Sequence, residues 1–167
     1  HVLGKADAPV TIVEYASMTC SHCADFDVKT FPKLKQEYID TGKVRFIFRE
    51  FPLDPLAAAG FMLARCLGDE KYFPAVHALF EQQKTWVVRE PLPPLMNIAK
   101  QFGMSEQQFN QCLSDQAMLN QLEAERNRAA KAFGVNSTPT FFINGQVQRG
   151  ALSFEEFEKL LAPLLKS

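Results

Sequence analysis

The chain has 167 residues, 47% hydrophobic and 22% charged, with a formal net charge of -1. That size and balance describe one ordinary globular domain with room for a sizeable core, and the absence of a Lys/Arg-dense face argues against nucleic acid as a partner. No apolar run approaches the roughly 20 residues that a membrane-spanning helix requires.

Residues 1–9 read as an extended lead-in, with Ala8-Pro9 just ahead of the first strand. Val10 to Ala16 is a nearly continuous apolar run, the pattern of a strand covered on both faces. Glu14 interrupts it, and a carboxylate there would lie beneath the segment that leaves the strand. That segment carries Thr19-Cys20-Ser21-His22-Cys23, and a helical pattern then runs from Ala24 to Ile39. Phe26, Phe31, Leu34 and Tyr38 recur at helical spacing, Pro32 should kink or restart the helix, and Gly42 ends it. Lys43 to Phe51 is a second strand, in which Val44, Phe46 and Phe48 alternate with Arg45, Ile47 and Arg49. Strand, helix, strand in this order predicts a βαβ unit with parallel strands and a right-handed crossover.

From Pro55 to about Phe133 the signals are helical only, and four or five helices are expected. Leu56 to Leu67 is apolar and Ala-rich, and Asp69 to Gln83 is amphipathic. Pro93 to Phe102 is a short helix stopped by Gly103. Ser105 with Gln108 forms a capping box, and Ser114 is read as the cap of a helix that runs to Phe133 and closes at Gly134. Strand signals return in Thr140–Ile143 and Gln146–Arg149 around Asn144-Gly145, a strong hairpin signal. Ser153 with Glu156 caps a final helix. The expected organisation is a βαβ…ββα domain made of residues 1–54 and 134–167, with residues 55–133 as an all-helical insertion.

The chemistry concentrates at Cys20 and Cys23. A strand that delivers Cys-x-x-Cys onto the first turn of a helix places the thiols where unpaired N–H groups and the helix dipole favour thiolate. Cys20, nearer the helix start and solvent, is the candidate nucleophile. Cys23, one turn deeper, is the resolving thiol. Of the intervening Ser21-His22 pair, a protonated His22 would add positive charge and a hydrogen bond to the thiolate. The competing reading is half of a zinc site. It needs about four ligands, no second Cys-x-x-Cys exists, and Cys66, Cys112, His77 and His1 are scattered, so no metal is expected. Cys66 and Cys112 sit in apolar helical contexts, where free thiols pack as small hydrophobes. Met18, Phe102, Met104 and Trp86 read first as core.

The frame, the motif and Thr138-Pro139 before a late strand are thioredoxin-like. The helical insertion, with APVTIVEYASMTCSHC, REFPLDP and GVNSTPTFFINGQ, makes the whole chain resemble the DsbA family of bacterial thiol–disulfide oxidoreductases. That resemblance implies a periplasmic enzyme that donates its disulfide, without a cofactor, to reduced exported proteins through a mixed disulfide at Cys20. A membrane-bound partner would reoxidise it, and the enzyme would be a monomer. The chain begins at His1 with no signal peptide, which says nothing about export. Thr138-Pro139 matches the family's cis-proline loop, whose backbone would pair with substrate peptide and whose hydroxyl would tune the cysteines. Glu14 matches the family's buried acid, a proton relay to Cys23, but neither Arg45 nor Arg49 falls on the position of that acid's usual basic partner. Some family members carry a second disulfide in the insertion, which implies Cys66–Cys112 as a structural bridge. Two other functions use the same residues. One is a disulfide isomerase or reductase, favoured by Thr138 before the proline and disfavoured by the lack of an added domain before residue 10. The other is a non-catalytic binder of unfolded peptide.

Overall fold

The apolar run that begins at Val10 becomes the middle of a five-stranded sheet. The computed structural model describes residues 1–166, so residue 167 of the expected 134–167 segment lies outside the described residues. The strands are β1 (Val2–Leu3), β2 (Val10–Ala16), β3 (Val44–Glu50), β4 (Thr140–Ile143) and β5 (Gln146–Arg149), in the spatial order β1-β3-β2-β4-β5. β2 and β3 run parallel, as the βαβ reading requires, and the other neighbours are antiparallel. The lead-in is not simply extended chain. Val2 and Leu3 pair with Ile47 and Phe46, a bridge too short for any periodicity to reveal.

Register decides which side chains meet. Val10, Ile12, Glu14 and Ala16 stand opposite Val44, Phe46, Phe48 and Glu50 on one face of the sheet. Phe141 and Ile143 of β4 join them there. Phe26 covers this face from the first helical stretch and Phe157 from the last helix, with the Phe26 ring 4.8 Å from Phe141 and 5.6 Å from Phe157. The opposite face carries Tyr15 and Phe142, which pack with Phe51, Ala129 and Val135 in a smaller cluster.

The helical stretch after the motif starts earlier than expected, with α1 (Ser21–Asp25), and restarts as α2 (Phe31–Leu34). Wider π-helical turns, Phe26–Thr30 and Lys35–Ile39, come after each of them. Pro32 lacks an N–H, so the ladder cannot continue in α-register there and widens. In the insertion lie α3 (Pro55–Cys66), α4 (Asp69–Glu81), α5 (Gln83–Trp86), α6 (Leu92–Gln101), α7 (Glu106–Leu113) and α8 (Gln116–Phe133). These are six rather than four or five. The chain leaves helical geometry at Gln82 (φ -97°, ψ 15°), which splits off the short α5. The hairpin turn has φ of 45° at Asn144 and 86° at Gly145, the left-handed pair that this tight turn demands. The last helix, α9 (Phe154–Leu165), begins at the expected Ser153–Glu156 capping box.

One cap is corrected. Asp115, not Ser114, starts α8, its side chain accepting from the Met118 N–H at 3.0 Å. The Ser114 hydroxyl instead donates back to the Asn110 carbonyl at 2.7 Å, ending α7. Both residue types cap helices well, so the choice lay in which backbone was extended. Urea denaturation should show Asp115→Ala costing about 1 kcal/mol and Ser114→Ala within roughly 0.5 kcal/mol of the parent. Equal losses at both positions would contradict this cap assignment.

Candidate active site

β2 ends at Ala16, and the next four residues turn the chain from the sheet into α1. Several side chains hold that turn. Ser17 Oγ accepts from the Leu53 N–H at 3.2 Å, and the Thr19 hydroxyl donates to Asp54 Oδ2 at 2.8 Å. Asp54 also caps α3 through the Ala57 N–H. The buried Gln83 Nε2 donates to the carbonyls of Met18 at 2.8 Å and Cys20 at 3.0 Å. An amide from the insertion therefore clamps the backbone on which the first cysteine stands. Neither Gln83 nor Asp54 was identifiable from the sequence, since each is an ordinary polar residue whose partner lies 63 or 35 positions away.

Cys20 is the N-cap of α1, and its sulfur accepts from the Cys23 N–H at 3.4 Å. Both cysteines are free thiols, Cys20 partly exposed and Cys23 buried. The two thiols are driven in opposite directions. Hydrogen bonding from the Cys23 thiol, aided by Thr138 and by the backbone N–H groups of Cys23 and His22, outweighs partial burial and lowers Cys20 to about 5. Burial first, then the bond it donates to Cys20 and the Glu14 and Cys20 charges, push Cys23 well above the ordinary thiol range. Ser21 and His22 are exposed on the first turn. Among the described residues the His22 imidazole makes no hydrogen bond to Cys20, and the hydrogen bond this residue gives the sulfur comes from its backbone N–H.

The Thr138–Pro139 peptide is cis and brings residue 138 against the motif from 118 positions away. Here the carbonyl, and not the expected hydroxyl, makes the direct hydrogen bond, the Cys20 thiol donating to Thr138 O at 3.4 Å. The Thr138 hydroxyl is buried without a hydrogen-bond partner and still favours the Cys20 thiolate by its proximity.

Glu14 is buried, 3% exposed, so it is not a solvated strand residue. Burial, then the Asp27 and Cys20 charges, raise its carboxyl well above the usual carboxylate range, and Oε2 has no partner. Register explains the missing cation. Glu14 faces Phe48 and Phe141, whereas Arg45 and Arg49 pair with Thr11 and Tyr15 on the opposite face. In the insertion, Cys66 at the end of α3 and Cys112 on α7 are joined by a disulfide that links residues 46 positions apart. Met18, Met104 and Trp86 are buried core residues, and Phe102, half-buried, packs against the same core. Trp86 Nε1 donates to the Leu79 carbonyl at 2.8 Å.

A second buried acid was missed. Glu50, at the end of β3, accepts from Tyr72 at 2.8 Å and from Arg65 Nε at 2.9 Å, and is also bonded by Arg65 Nη2. This cluster ties the sheet to α3 and α4. The only hint in the sequence is a charge at the buried parity of an apolar strand.

The Thioredoxin family profile matches residues 1–162. A Rickettsia bellii protein described as a protein-disulfide oxidoreductase is 38% identical over 146 residues, which cover 86% of this chain and 56% of that protein. Disulfide bond formation protein D of Bacillus anthracis is 30% identical over 175 residues, covering 98% of this chain and 77% of that protein. The crystal structure of Wolbachia pipientis alpha-DsbA1 superposes with a TM-score of 0.91 at 33% identity, covering 98% of this chain and 89% of that one. The chain spans about half the length of the Rickettsia relatives it matches. Profile, relatives and architecture agree: this chain belongs to the thioredoxin family, on its DsbA-like branch.

Proposed function

We propose that the chain is a thiol–disulfide oxidoreductase that passes the Cys20–Cys23 disulfide to reduced, newly exported proteins. The observation that carries this reading is the unlike placement of two thiols three positions apart. Cys20, partly exposed at the cap of α1, accepts from the Cys23 N–H at 3.4 Å, whereas Cys23 is buried, which lowers the first thiol to about 5 and raises the second. Stabilising the Cys20 thiolate stabilises the reduced enzyme, which makes its disulfide a good donor. A substrate thiolate attacks Cys20 Sγ, the disulfide opens toward Cys23, and a second substrate thiol then displaces Cys20 from the mixed disulfide. Cys20 is the better leaving group because its thiolate is the more stable. Thr138 and Pro139 form the wall along which an extended substrate lies, and Glu14 exchanges a proton with Cys23. The Cys66–Cys112 bridge is structural and suits an oxidising compartment.

In this reading the protein works in the bacterial periplasm as a monomer and is reoxidised by a membrane-bound partner. No described helix is long and apolar enough to cross a membrane. The reductase or isomerase reading keeps one supporting observation, Thr138 against the sulfur. Three assays separate the possibilities: oxidation of a reduced dithiol peptide, refolding of scrambled ribonuclease, and insulin reduction. Fast peptide oxidation with little ribonuclease refolding is expected. A reduction potential near thioredoxin's, about -270 mV, would overturn the oxidase assignment.

A further inference from the structure

A buried carboxyl is stable only when it is neutral or matched by a cation, and the strands around Glu14 supply none. Its register partners are Phe48 and Phe141, and its Oε2 has no hydrogen-bond partner. An imidazole able to carry a proton does approach from the insertion. His77 on α4 places Nδ1 2.7 Å from Oδ1 of Asp27, and Asp27 stands one turn after Cys23 on the helical stretch that follows the motif. Asp27 also bears directly on the Glu14 carboxyl. The Asp27 side chain is 11% exposed and that of His77 35%, so the pair leads from the interior toward solvent. The imidazole is braced by the rings of Phe31 at 5.3 Å and Phe73 at 6.2 Å.

We propose that His77 is a positioning residue for proton exchange at Cys23, supplying through Asp27 the positive partner that the strands deny Glu14. The role rests on reading Cys20–Cys23 as an exchanging dithiol. When a substrate thiolate attacks, its bond to Cys20 Sγ forms and the Cys20–Cys23 bond breaks. The electron pair goes to Cys23 Sγ, which takes the proton of Glu14. Glu14 is then a carboxylate repelled by the Asp27 carboxylate, and a proton shared in the His77–Asp27 pair offsets that repulsion. In the reverse step Cys23 gives its proton to Glu14, attacks the sulfur of Cys20, and expels the bound thiol as thiolate. The groups facing Glu14 are Asp27 from the helical stretch and Cys20 and Cys23 from the motif, with only Phe48 and Phe141 opposite it on β3 and β4. Those facing His77 are Asp27 and Phe31, with Phe73 and Glu81 one turn away on α4.

The test is the pH dependence of glutathione release as Cys23 closes the Cys20–glutathione mixed disulfide, monitored by stopped flow from about pH 4 to 10, a range that starts at the ordinary carboxylate value and passes the ordinary thiol one. His77→Gln keeps a hydrogen bond to Asp27 but loses the charge, so the rising limb should move up by roughly half a pH unit or more. Asp27→Asn removes a like charge from Glu14 and should move the limb down by about one unit. The double variant should behave as Asp27→Asn does, because His77 acts through Asp27. His77→Lys, which restores a cation, should return the limb toward its original position. A limb that His77→Gln leaves in place, or that His77→Gln and His77→Lys shift alike, overturns the role of His77 and leaves the exchange reading standing. A parent protein that forms no mixed disulfide overturns both.

Discussion

Cys20→Ser is expected to abolish disulfide exchange, reducing peptide oxidation at least about 10³-fold, while the far-UV spectrum stays that of the parent. The side chain is partly exposed, and its replacement keeps an oxygen able to accept from the Cys23 N–H as the cap does now. The chemistry, in contrast, has no substitute, because an alkoxide at this position can neither form nor surrender a disulfide. Cys23→Ala separates the roles of the two thiols. With no resolving thiol, the mixed disulfide at Cys20 should persist and be visible as a mass increase equal to the bound thiol. If Cys23→Ala lost the adduct as quickly as the parent, or if the adduct formed on Cys23 in Cys20→Ser, the assignment of nucleophile and resolving thiol would have to be exchanged.

The second large effect is on stability against pH. In the folded dithiol form Cys20 is held at about 5, against 9.0 for an unperturbed thiol. A depressed pKa contributes stability that is complete above the unfolded value and is lost as pH falls through the folded one. The oxidised protein has no such group. Denaturant melts of the two redox forms should therefore diverge as pH rises from about 5 to about 9, the interval between those values. The reduced form should gain on the oxidised one by at most about 1.4 kcal/mol per pH unit, and by less in practice because Cys20 is only half-buried and solvent screens it. Glu14 has the opposite sign. Its raised carboxyl stabilises the fold below the unfolded value and loses that contribution as pH rises through its own, but it is present in both redox forms and largely cancels in the difference. Parallel pH profiles for the two forms would show that Cys20 is not a stabilised thiolate.

Much of the frame was legible because its signals are local. Capping boxes at Ser105 and Ser153 span three residues, and Asn144-Gly145 specifies its turn by backbone preference alone. Where two neighbours had equal propensity, as Ser114 and Asp115 do, the pattern could not choose, since the deciding term is which of them has the extended backbone. The widened turns after α1 and α2 escaped for a related reason. Pro32 announces that a hydrogen bond is missing, but not how the chain accommodates the loss.

The sequence by itself singled out Cys20 and Cys23, in the order expected of nucleophile and resolving thiol, and showed the alternation that buries one face of β3. Each rests on short-range geometry: a strand running into a helix, a three-residue spacing, a period of two. Only the tertiary structure decided what surrounds the sulfur. It made the Thr138 carbonyl rather than the hydroxyl the direct hydrogen-bond partner of Cys20, and brought the His22 backbone N–H rather than the imidazole into hydrogen bonding with the sulfur. It buried Glu14 without a cation and brought Gln83 and His77 in from the insertion. These contacts join residues 50 to 118 positions apart. Whether such a contact forms depends on sheet register and on how helices pack over it, and no local pattern encodes either.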